Sequence, residues 1–230
     1  MYARKTELFR QARSERGVLR RGSGFTLVEL LVVIAIIAIL AGISIAGLQL
    51  AQEEGHVGAE RHTISLIRTG IEQFSQAMGD YPPTSLDYFK VKGNGINEGN
   101  ESVFACLQTR KKNGPFIGHL DESRWQNLDG DKLSSTDLAS LRATLDWTRA
   151  GDQLLEYVDY WGNPFVYIHN RDYGKKLKYK AADGSVFEVE AAKSPSTGGY
   201  AAPTSYQLWS LGPDGLNQNG DGDDICSWKS

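Results

Sequence analysis

One acid, Glu29, stands just inside a segment otherwise built to leave water. It ends the run Gly24-Phe25-Thr26-Leu27-Val28-Glu29, and of the nineteen residues that follow, Leu30 to Leu48, only Ser44 is polar. A carboxylate in such a run is costly in hydrocarbon and is read as functional by default. As a helix rising ~1.5 Å per residue, residues 25–48 reach about 36 Å, enough for a hydrocarbon core of roughly 30 Å. Residues 1–24 carry seven basic side chains (Arg4, Lys5, Arg10, Arg13, Arg16, Arg20, Arg21) against Glu7 and Glu15. That excess holds the N-terminus in the cytoplasm and sends the C-terminal part across.

Three readings of this order compete. The apolar run is longer than the roughly 7–15 residues of an ordinary secretory h-region, yet a signal peptide cut after Ala46 or Ala51 is one reading. An uncleaved anchor with Glu29 near the interface is the second. The third places the cut ahead of the apolar run, between Gly24 and Phe25. It also gives Glu29 a partner: the new amine on Phe25 of a neighbouring subunit offsets a burial that neither charge bears alone. Leader, glycine and buried acid in this order resemble the prepilin-type signal of type IV pilins and type II secretion pseudopilins. The resemblance implies cleavage and N-methylation by a prepilin peptidase, and a Glu29 ion pair that sets the axial register of subunits in a filament. Relatives usually carry a proline further along the mature helix, where this chain has Ile45-Ala46-Gly47. Gly42 and Gly47 loosen the helix there, at about 1 kcal/mol each relative to alanine.

The leader takes a net +5 out of a chain with a formal charge of −3, so the remainder lies near −8. Phosphate binding needs a basic face, which argues against nucleic acid as a partner. Lys175, Lys176, Lys178 and Lys180 form a basic cluster that reads as a solvated strand face. Cys106 and Cys226 leave two readings open, a bridge permitted by export or two separately buried small hydrophobes. No paired Cys or Cys/His grouping suggests zinc.

Beyond the apolar run, Val57, Ile64, Ile67, Ile71, Phe74 and Met78 recur at helical spacing and trace one amphipathic stripe. Glu60, Arg61, Arg68, Glu72 and Gln73 fall on the expected wetter face, and Gly79 with Pro82-Pro83 ends the helix. His56 and His62 read as surface or packing residues. Four segments follow: a leader over 1–24, a transmembrane and amphipathic helix over 25–79, a loop and short-helix segment over 80–156, and an antiparallel sheet over 157–230. Within the third, Ser134 with Asp137 marks a helix start, and Leu138, Leu141, Leu145 and Leu155 suggest short helices to about Tyr157. Phe165–Ile168, Leu177–Tyr179, Ser185–Val189 and Tyr206–Trp209 read as strands, the middle two joined by a tight turn at Asp183-Gly184. The fold class expected is α+β, a long N-terminal helix on a small antiparallel sheet, as in pilins.

Three C-terminal motifs narrow the resemblance to the major pseudopilin of type II secretion. They are Asp159-Tyr160-Trp161-Gly162-Asn163-Pro164-Phe165-Val166-Tyr167, then Ser210-Leu211-Gly212-Pro213-Asp214-Gly215, then Asp223-Asp224-Ile225 with Trp228. Between 214 and 224, acids at Asp214, Asp221, Asp223 and Asp224 crowd a glycine-rich loop, where hard oxygen ligands suit Ca²⁺. The resemblance implies calcium held by these four and the Leu211 carbonyl. Asn217-x-Asn219-x-Asp221-Gly222 copies half an EF-hand loop, but Trp228 stands where a bidentate glutamate is needed. A merely solvated acidic turn is the plain alternative. The run to the Asp-Ile pair is about a residue shorter than relatives have.

No nucleophile elbow, HExxH, P-loop or dinucleotide fingerprint appears, so no enzyme activity is expected. The resemblance implies a filament subunit anchored once in the bacterial inner membrane with a periplasmic, calcium-stabilised head. Its implied partners are further copies of itself, minor pseudopilins, the prepilin peptidase and the inner-membrane secretion platform. The alternatives are a type IV pilin, a minor pseudopilin, or an anchored calcium-binding protein that never polymerises.

Overall fold

The structure, a computed structural model, describes residues 24–118, 120–146 and 151–229. Apart from Gly24, the expected leader lies outside the described residues. The chain divides into two units, Met1–Leu48 and Gln49–Ser230.

In the first unit the described residues enter a helix at Leu27, the start of α1 (Leu27–Met78). Leu27, Val28, Leu30, Leu31, Ile34 and Ile37 are each more than half exposed. A helix apolar all round is stable only in lipid or among other helices. Among the described residues no helix is long and apolar enough to cross a membrane. The stretch 27–42 reaches about 24 Å as a helix, short of roughly 30 Å. The side chains of 43–47, 49 and 50, which belong to the span expected from sequence, lie outside the described residues.

The second unit is built on the amphipathic part of α1. Ile64, Ile67, Ile71 and Phe74 are buried, with Val57 and Met78 packed at the edges of the same core, so the helical stripe is the face that docks. The helix stops at Met78 because Gly79 takes φ +89°. Glu60 corrects the expected wetter face: it is buried and ion-paired with Arg124 at 2.9 Å.

The segment 80–156 contributes α2 (Glu98–Leu107), β1 (Trp125–Gln126) and α3 (Ser135–Leu145). Ser134 caps α3 by accepting the Asp137 N–H, as its spacing predicts. The helical reading to Tyr157 is corrected. α3 ends at Leu145, and β2 (Glu156–Tyr157) pairs antiparallel with β1, so this strand straddles the expected boundary at 156/157. Leucine spacing alone does not reveal the left-handed residue Asp146 (φ 51°) that ends α3.

Five more strands follow: β3 (Val166–His169), β4 (Leu177–Lys180), β5 (Val186–Val189), β6 (Tyr206–Ser210) and β7 (Ile225–Cys226). All pair antiparallel, but into separate sheets, β3-β6-β7 and the β4-β5 ribbon, rather than one. Tyr167 and Leu208 sit opposite each other and face the core under α1 and α2. Their neighbours Val166, Ile168 and Trp209 face a second core with Tyr179, Val189 and Leu211. The central sheet is thus buried on both faces, and the two-residue alternation of strands separates the two cores. Asp183 and Gly184 make the β4-β5 turn, with Gly184 at φ +86° and the Asp183 Oδ1 accepting from Ser185 N. Cys106 lies in the first core and Cys226 in the second, both as free thiols, which decides between the two readings left open by the sequence.

Candidate functional site

At the N-terminal end of α1, Glu29 is not a bare acid. Its Oε2 accepts both the Thr26 N–H and the Thr26 hydroxyl at 2.8 Å, while Glu29 N–H donates back to Thr26 Oγ1 at 3.1 Å. Thr26-x-x-Glu29 is a capping box, in which side chains at both ends of the first turn satisfy N–H groups that the helix leaves unpaired. The Thr-x-x-Glu spacing is the signal for it, and the membrane argument alone did not use it. Gly24 and Phe25 precede it in the open. A Cβ added to Gly24 meets nothing within 4 Å, so packing within this unit does not require glycine there.

The C-terminal motifs meet in space. Asp159 is buried; its Oδ1 accepts the N–H groups of Trp161 and Asn163 (3.0 and 2.8 Å), and its Oδ2 accepts the Ser210 hydroxyl at 2.7 Å. Ser210 Oγ in turn accepts the Gly212 N–H at 3.1 Å. The turn before β3 and the acidic loop after β6 are therefore clamped to one carboxylate. Burial pushes the Asp159 carboxyl above its usual range, and the bonds from Ser210 and Asn163 counter it.

Within the loop, Asp214, Asp223 and Asp224 are drawn together by Gln218. Gln218 Nε2 donates to Asp214 Oδ2 at 3.0 Å, its Oε1 accepts Asp223 N–H at 3.1 Å, and its backbone N–H donates to Asp224 Oδ2 at 3.1 Å. Asp214 N–H donates to Asp223 Oδ2 at 3.0 Å. Leu211 is buried beside them, and Gly212 (φ +71°) runs so close to Asp223 that a Cβ would lie 2.4 Å from its carbonyl oxygen. Asp221 stands apart, 88% exposed and 3.5 Å from Lys229 Nζ. Asn217 accepts from Trp209 Nε1, and Asn219 accepts from Glu190 N–H, so both tie the loop to strands. Buried Asp223 Oδ1 and Asp224 Oδ1 have no hydrogen-bond partner. Burial and the nearby Asp223 and Asp214 raise the Asp224 carboxyl to about 7, against the pull of the Gly220 and Gln218 N–H groups. Two orphaned buried oxygens on hard ligands fit a bound Ca²⁺. Nothing in the sequence pointed to Gln218.

A second acidic group was missed. Among the described residues, Glu101, Asp129 and Glu156 bring carboxylate oxygens within 4.8 Å of one another, and the loop acids form no such trio. The three come from α2, a turn and β2, so no local spacing announced them.

Residues 19–45 match the family described as the prokaryotic N-terminal methylation motif. That is a prepilin-type signal, and it fits proteins of the type IV pilin and pseudopilin kind; it implies processing by a prepilin peptidase, a membrane-anchored N-terminus and pilus-like assembly. No curated protein and no solved structure matches the chain.

Proposed function

We propose that this chain is a structural subunit of a type II secretion pseudopilus, cut at Gly24/Phe25 and polymerising through the exposed apolar part of α1. The methylation motif over 19–45, with Glu29 in its expected place, carries this reading. The clamp of Asp159 on Ser210 and the acidic loop beside it favour the major pseudopilin over other subunits, because these are the motifs that resemble it. Asp214, Asp223, Asp224 and the Leu211 carbonyl hold the calcium, while Asp221, turned to Lys229 and solvent, stands outside the set; the ion neutralises acids that otherwise repel.

Mass spectrometry of the membrane-extracted protein is expected to find an N-methylated Phe25 as the first residue. A start at Met1, or near Ala51, overturns the proposal. A separate measurement addresses the loop. In detergent, the Asp223→Asn, Asp224→Asn double variant is expected to bind one Ca²⁺ fewer per chain than wild type. If the ion binds only the folded loop, 100-fold excess over Kd adds roughly 2.7 kcal/mol to stability, seen as a higher melting temperature. Equal calcium stoichiometry in the two proteins removes the loop from the calcium account and leaves the filament reading standing.

A further inference from the structure

We propose that Glu101, Asp129, Asp131 and Glu156 form a calcium site, separate from the C-terminal loop, within the segment 80–156. Glu101 is 1% exposed, and neither of its carboxylate oxygens accepts a hydrogen bond. It lies in the first turns of α2 and points into a group whose other members are also acids: one oxygen each from Glu101, Asp129 and Glu156 lie within 4.8 Å of one another. Buried Asp131 Oδ1 is likewise without a partner. An unpartnered buried carboxylate facing further carboxylates is the arrangement that a cation resolves, since no hydrogen-bond donor is aimed at it.

The surroundings orient the ligands and leave lone pairs free. Asn94 Nδ2 donates to Asp129 Oδ2 at 2.9 Å. Asn97 Nδ2 donates to Glu156 Oε1 and Leu128 N–H to its Oε2, each at 2.9 Å. Each such oxygen keeps a second lone pair for a metal, and the amides act as the outer shell that fixes ligand direction. Gly130 takes φ +82° between the two aspartates, with its N–H held by Asn127 Oδ1 at 2.6 Å, which folds that turn back on itself.

The electrostatics agree. Burial, then repulsion from Asp131, Glu156, Asp129 and Glu98, holds the Glu101 carboxyl up to about 11. Burial first, then Asp129, also raises Asp131 and Glu156 to about 7. The donors are all hard oxygens with no histidine or thiol, which suits calcium, magnesium or manganese over zinc or copper. Four carboxylates from three separate elements supply the six to eight oxygens and irregular geometry that Ca²⁺ accepts, while Mg²⁺ demands near-ideal octahedral placement.

The test uses the full-length chain in detergent, carrying Asp223→Asn and Asp224→Asn so that the C-terminal loop is silent. Titration calorimetry with calcium chloride is expected to show one Ca²⁺ bound per chain, and calcium is expected to raise the melting temperature relative to chelator. Adding Glu101→Gln is expected to abolish both effects. In chelator, that variant melts no lower than its parent, because the amide keeps the size of the carboxyl and brings no charge to bury. If it does not fold, Asp129→Asn on the half-buried turn is expected to lose calcium in the same way. A folded parent that binds no calcium, or binding that survives both substitutions, overturns the site and leaves the acids sharing protons. Neither outcome bears on the filament reading.

Discussion

Replacing Arg124 by methionine is expected to cost about 3–5 kcal/mol of folding stability, the penalty for stranding one member of a buried ion pair. The guanidinium grips both Glu60 oxygens through Nη2, at 2.9 and 3.0 Å, and donates from Nε to the Val158 carbonyl at 2.7 Å. It also lies over the Tyr157 ring, 4.8 Å from the centroid. Glu60 itself is 1% exposed and has one further donor, Tyr160 N–H at 3.1 Å. Burial already lifts the Glu60 carboxyl above its usual range, and Arg124 is the largest influence lowering it. Removing Arg124 raises it further. A carboxyl whose folded pKa exceeds its unfolded value supports the fold fully below the unfolded value and loses that support as pH rises through the folded one. The Arg124→Met deficit is therefore smallest below the ordinary glutamate range and grows as pH rises above it. Pairing Glu60→Leu with Arg124→Met recovers most of the loss, since apolar replacement of both partners is near neutral. Denaturant unfolding in detergent at pH 4.5 and 7.5 measures this. Unchanged stability at pH 7.5 in the single variant contradicts it.

Glu29→Gln is expected to leave cleavage and insertion intact while filament assembly falls by roughly a thousandfold, the factor that about 4 kcal/mol for an unpaired buried charge imposes. The capping box makes this variant informative. Glutamine can still reach back to the Thr26 N–H, so the helix start is preserved and only the charge is lost. Thr26→Ala does the reverse, loosening the cap and keeping the carboxylate. If Glu29 acts by pairing with the Phe25 amine of a neighbouring subunit, Gln fails and Thr26→Ala assembles. Electron microscopy of sheared filaments, with mass spectrometry of Phe25 as the processing control, reads both. Filaments from Glu29→Gln at wild-type yield rule out the ion pair.

The stripe Ile64, Ile67, Ile71 and Phe74, the stop at Gly79, the Ser134 cap and the turn at Gly184 were all legible because each depends on neighbours a few residues away. Helical periodicity, capping and turn chemistry are local rules. Glu60 shows their limit. Its position on the helical wheel predicted water, and only Arg124, sixty-four residues on, shows why the acid is buried instead. The end of α3 at Leu145 and the strand at Glu156 were misread because a two-residue strand carries no period; its partner Trp125–Gln126 makes it a strand.

By itself the sequence determined the N-terminal signal and the order of apolar helix, amphipathic helix and strands. Charge ahead of an apolar run, a single acid within it and periodicity are written along one dimension. The tertiary structure alone decided which carboxylates meet. It separated Cys106 from Cys226, turned Asp221 toward Lys229 and solvent, and closed Asp214, Asp223 and Asp224 around Gln218. It also brought Glu101, Asp129 and Glu156 together from three distant segments. The physical reason is that like charges are brought together only when packing elsewhere supplies the free energy, and that supply comes from two cores on opposite faces of one sheet.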